Sequence, residues 1–76
     1  MKKAYTVYGS EDGILGIYSN FKRAYAEALD YSCNGDTSIA NLTYSQAVKS
    51  KNIVTIKDKN NPYDNTAEIQ LFIVNE

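Results

Sequence analysis

Tyr5-Thr6-Val7-Tyr8-Gly9-Ser10-Glu11-Asp12-Gly13-Ile14-Leu15-Gly16-Ile17-Tyr18 decides the fold. Residues 4–8 are aromatic and β-branched, which predicts a strand. Residues 9–13 form a turn cluster whose Asp12-Gly13 pair is a strong hairpin signal, because both residue types tolerate positive φ. Residues 14–18 then read as the returning strand. Gly16 inside that strand points to a bulge or a close backbone approach.

Working outward, Ser19 or Asn20 is a suitable N-cap. Phe21, Ala24, Tyr25, Ala28 and Leu29 follow at the spacing of an apolar helical stripe, with Lys22, Arg23, Glu27 and Asp30 on the polar side. The helix is expected to end near Ser32, with Asn34-Gly35 as its stop. Residues 36–42 read as a loop or a short turn. Thr43-Tyr44-Ser45-Gln46 matches a capping box and opens a short second helix to about Ser50, burying Ala47 and Val48. Residues 53–57 form a third strand. Residues 58–65 form a polar loop around Pro62, and residues 66–74 form a fourth strand. The order is ββααββ, which predicts an α+β domain spanning residues 1–76: a four-stranded, mainly antiparallel sheet with helices on one face.

Alternation in the last strand puts Ala67, Ile69, Leu71 and Ile73 on one face. Tyr5, Val7, Leu15 and Ile17 are assigned to that same, helix-covered side. The opposite face is then expected to carry Thr6, Tyr8, Ile14, Tyr18, Gln70, Phe72 and Val74. A slip of one residue would exchange the faces. An uncovered mixed apolar face on a small domain marks a partner or dimer site. Tyr8, Tyr18, Gln70, Phe72 and Val74 are the candidate contact residues, with Tyr18 and Phe72 at the centre.

Composition narrows the function classes. The chain has 76 residues, 43% of them apolar, which is room for one core and argues against disorder. A domain this short buries only about 60% of its unfolded-chain surface. Its single cysteine, Cys33, excludes an internal disulfide, and one Cys without any His cannot build a zinc site. Association of two copies is therefore the expected reinforcement. Nine acidic and eight basic residues give a net charge of −1, so no strong field steers the chain to nucleic acid or membrane. No apolar run reaches membrane-span length, and no apolar stretch follows Met1-Lys2-Lys3 as a signal peptide requires. The cytoplasm is the expected compartment, and no cofactor is expected.

Without histidine the commonest general base is missing, and no Ser-His-Asp or Cys-His arrangement is possible. Cys33 has no charged neighbour in sequence to activate it. Glu11 and Asp12 sit in a turn, where solvated acids are ordinary. The three glycines at 9, 13 and 16 do not fit phosphate-loop spacing, and a hairpin is the wrong setting for one. The chain is thus expected not to be an enzyme. Seven tyrosines favour an interaction surface. Lys22, Arg23, Lys49 and Lys51 are the candidate phosphate contacts if aromatic side chains stack on bases. Asn41-Leu42-Thr43 is formally a glycosylation sequon but has no secretory context.

Residues 5–24, a Val-Tyr…Asp-Gly…Gly-Ile-Tyr hairpin running into a helix with Lys and Ala, resemble small accessory proteins of tailed phages. The abundance of Lys, Asn, Ile, Tyr and Phe, all with A/T-rich codons, fits such a genome. The resemblance implies a product that binds a host protein, as anti-defence and host-takeover proteins do. It carries over no functional residue. The alternatives are a nucleic-acid-binding regulator using an aromatic sheet face, or a dimer that sequesters a small ligand.

Overall fold

The computed structural model describes residues 2–50 and 53–74. Strand β1 (Lys2–Gly9) turns through residues 10–12 into β2 (Gly13–Tyr18). Within this turn only Gly13 takes the left-handed conformation (φ 74°); Asp12 does not need it. Helix α1 (Phe21–Cys33) starts at Asn20, whose side chain accepts from the Arg23 amide at 2.9 Å. It stops where Asn34 and Gly35 turn left-handed (φ 52° and 79°) and return their amides to Asp30 and Leu29. The capping box forms as expected. Gln46 N–H donates to Thr43 Oγ1, and Thr43 N–H donates to Gln46 Oε1. Helix α2 (Tyr44–Val48) is shorter than expected, because Lys49 and Ser50 donate to carbonyls three residues back and tighten the last turn. Strands β3 (Ile53–Ile56) and β4 (Ala67–Val74) complete the domain.

The four strands form one sheet in the order β2-β1-β4-β3, and every pair is antiparallel. Both helices lie on one side. Val7 pairs with Ile69, and Ile69 also pairs with Val54; these three are buried together with Ile56 and Ala67. Ala24, Tyr25, Ala28, Leu29 and Cys33 of α1 complete the core with Ala47 of α2. Cys33 is a buried core thiol beside the Ser32 hydroxyl. Val48, expected to be buried, is half exposed, and so is Ile73 at 52%. The helical layer does not reach that end of the sheet.

Residues 36–42, ambiguous in sequence, contain a 3-10 turn (Thr37–Ile39) capped by Asp36, then a single bridge between Ala40 and Asp58. Asn41 is used structurally. Its side chain accepts from Lys57 N–H and donates to the Thr55 carbonyl, clamping the end of β3.

The second correction concerns β2. The ladder with β1 is regular from Tyr5↔Tyr18 to Val7↔Gly16, then jumps to Tyr8↔Ile14, so Leu15 is an extra residue. This is the bulge that Gly16 announced. Its effect is to invert parity beyond Leu15. Ile17, assigned to the helix side, lies on the open face opposite Thr6, and Tyr18, assigned to the open face, lies on the helix side opposite Tyr5. Tyr18 Oη donates to Glu27 Oε1 of α1 at 2.7 Å.

Two phenols therefore sit in environments that resist ionisation. The Tyr18 pKa is raised above the ordinary value of 10.0 by its hydrogen bond to Glu27, with help from burial and the Glu27 charge. That of Tyr25, whose hydroxyl donates to the Leu42 carbonyl at 2.8 Å, is raised by burial first. A raised folded-state value means the folded protein holds the proton more tightly than the unfolded chain. The associated stability is fully present below about pH 10 and is lost as pH rises through the folded-state values. The denaturant midpoint should thus fall above about pH 10, and Tyr18→Phe should remove part of that fall. A midpoint that is flat through the phenol range would contradict the assignment.

Candidate functional site

The face of the sheet away from the helices is covered by nothing among the described residues. Register places Ile17, Thr6, Gln70 and Ile53 in one row across all four strands. The next row is Ile14, Tyr8, Glu68 and Thr55, and Phe72 stands beside Ala4. Ile14, Ile17, Ile53 and Phe72 are 60%, 65%, 57% and 44% exposed, which is unusual for four large apolar side chains on one small surface. Between them the centre is polar and ordered. Thr6 is buried between its neighbours, and Gln70 Nε2 donates to Glu68 Oε1 at 2.6 Å. A shallow hollow of about 190 Å³ beside Tyr8, Thr55 and Glu68 indents the surface.

Of the candidate contact residues, Tyr8, Gln70 and Phe72 share this face. Tyr18 does not; the bulge turns it to the helices. Val74 pairs with Lys2 through its backbone, and its side chain lies outside the described residues. Ile17 and Ile53 were missed. The signal for Ile17 is Gly16, because a bulge there inverts the parity of the residues after it. The signal for Ile53 was the alternation of Ile53, Val54, Thr55 and Ile56, which places Val54 and Ile56 inward.

The candidate phosphate contacts do not gather on the aromatic face. Lys22 and Arg23 are exposed in the first turn of α1, on the other side of the sheet, and Lys49 follows α2. Lys51 lies outside the described residues. Most aromatic rings are likewise on the helix side: Tyr5, Phe21, Tyr25 and Tyr44 form a chain with centroids 5.5–6.4 Å apart. Among the described residues no group of three or more Cys, Asp or Glu could hold a metal ion. No helix among them is long and apolar enough to cross a membrane.

Compared with known proteins, the chain matches no family model, no curated protein and no solved structure.

Proposed function

We propose that this is a non-catalytic interaction protein of the small accessory kind encoded by tailed phages. In this reading it acts in the host cytoplasm, where it binds a host protein, such as a defence nuclease, and inhibits or redirects it. The observation that carries the reading is the uncovered sheet face, where Ile14, Ile17, Ile53 and Phe72 ring the ordered Thr6-Gln70-Glu68 centre. Several large apolar side chains left exposed on one face of a small domain are what marks a protein-contact surface. The absence of histidine from the chain and the buried state of its one thiol support a binding role over a catalytic one. The same face is where two copies would pair as a homodimer. The nucleic-acid alternative has less support, because Lys22 and Arg23 sit across the sheet from the exposed Phe72 ring.

The test is the Ile17→Asp/Phe72→Asp double variant. Both side chains already meet solvent, so its far-UV circular dichroism should match the parent. Its retention of a host protein from lysate, or its dimerisation by sedimentation, should fall at least ~30-fold, the scale of one lost hot spot of about 2 kcal/mol. Undiminished association by a folded variant would remove this face from the site. Binding to RNA or DNA that falls steeply with salt would support the alternative.

A further inference from the structure

The uncovered end of the helical layer leaves a second concavity, on the opposite side of the sheet from the open face. Tyr5 and Leu71 form its floor, Phe21 of α1 and Val48 of α2 its walls, and it encloses about 280 Å³. That approaches the lower end of small-molecule sites, roughly 300 Å³. Its rim carries two cations, Lys3 on β1 and Lys49 after α2, and among the described residues no carboxylate lines it. Among the described residues neither lysine side chain has an ion pair or hydrogen bond. Acidic residues outnumber basic ones over the whole chain, nine to eight, so two cations and no acid around one apolar hollow are a local asymmetry.

We infer that this hollow binds a small amphiphilic anion: an apolar body seated on Tyr5, Phe21 and Leu71, with its negative group at the rim between Lys3 and Lys49. A neutral apolar molecule would leave both ammonium groups without a partner. A purely polar anion would leave the apolar floor wet. The combination recognises the amphiphile by both ends, as small-ligand sites do with an apolar lining and a few convergent polar groups.

The probe is 8-anilinonaphthalene-1-sulfonate, set against N-phenyl-1-naphthylamine, which has the same body without the charge. The sulfonate should bind saturably, with amide shifts in the NMR spectrum centred on Tyr5, Phe21, Val48, Lys49 and Leu71. It should bind more tightly than the neutral dye, each rim charge contributing up to about fivefold. Lys3→Gln and Lys49→Gln, both at exposed positions, should lower sulfonate affinity and leave the neutral dye unchanged. Val48→Trp should fill the hollow and exclude both dyes while the spectrum stays dispersed. Displacement by octanoate, naphthoate or adenosine monophosphate then identifies an acyl, aryl or nucleoside body. Shifts centred on Ile14, Ile17 and Phe72 overturn the inference. So does a charge preference that survives both lysine variants. Failure of all three competitors at millimolar concentration means adventitious dye binding only, and also overturns it.

Discussion

Ile69→Ala should destabilise the fold by about 2–5 kcal/mol. Ile69 is 1% exposed, stands in a central strand, and is flanked by Val7 on one neighbour and Val54 on the other. The helical layer lies over it. Supported on every side, the space left by the lost atoms cannot close by collapse, so the cavity contribution adds to the lost transfer energy. A chain of this length has a net stability of about 4–11 kcal/mol, so a single substitution removes a large share. Ile73→Ala, two residues along the same face but half exposed, should cost under about 1 kcal/mol. Urea midpoints of the two variants provide the comparison. Equal costs would mean the core is not centred on Ile69.

Gly16→Val should cost about 1–3 kcal/mol through overpacking. A Cβ at Gly16 would lie 2.7 Å from Tyr18 Oη and 2.8–2.9 Å from its ring carbons, because that ring folds back over the glycine. The phenol must then leave, and its bond to Glu27 goes with it. In a Tyr18→Ala background the obstacle is gone, so the same substitution should cost much less. A double-mutant cycle reads this coupling directly. If the cost is the same in both backgrounds, the Tyr18 ring is not what the glycine makes room for.

Most of the architecture was legible because local signals agreed. Asp12-Gly13 marked the hairpin, the Phe21-to-Leu29 stripe marked the first helix, and Thr43 and Gln46 marked the second. Alternation in residues 67–73 set the inward side of β4 correctly. What failed was the face of β2, since a single extra residue at Leu15 reverses every side chain after it. Alternation counted through the bulge gave Ile17 and Tyr18 each other's places. The site was half legible for the same reason: Tyr8, Gln70 and Phe72 were found, and Ile17 was not. Residues 36–42 were illegible because their structure depends on partners far along the chain, with Asn41 clamped to Thr55 and Lys57 and the Ile39 carbonyl accepting from Lys59. The hollow beside Lys3 and Lys49 joins five separate elements and has no local signature.

The pairing of β1 with β4 has a kinetic consequence. These two strands, the most distant in sequence, are the innermost pair of the sheet, with partners from Gly9↔Ala67 to Lys2↔Val74. On a ribosome the first hairpin and α1 emerge early, yet β3 joins the sheet only through β4. Until β4 is synthesised, β1 lacks its inner neighbour and β3 lacks any. A loop of nearly the whole chain must close before the central ladder can form, and that closure entropy is spent before its contacts are gained. Folding is therefore governed by a late, long-range event, and in the nascent chain the inner edge of β1 stays unpaired until that event occurs.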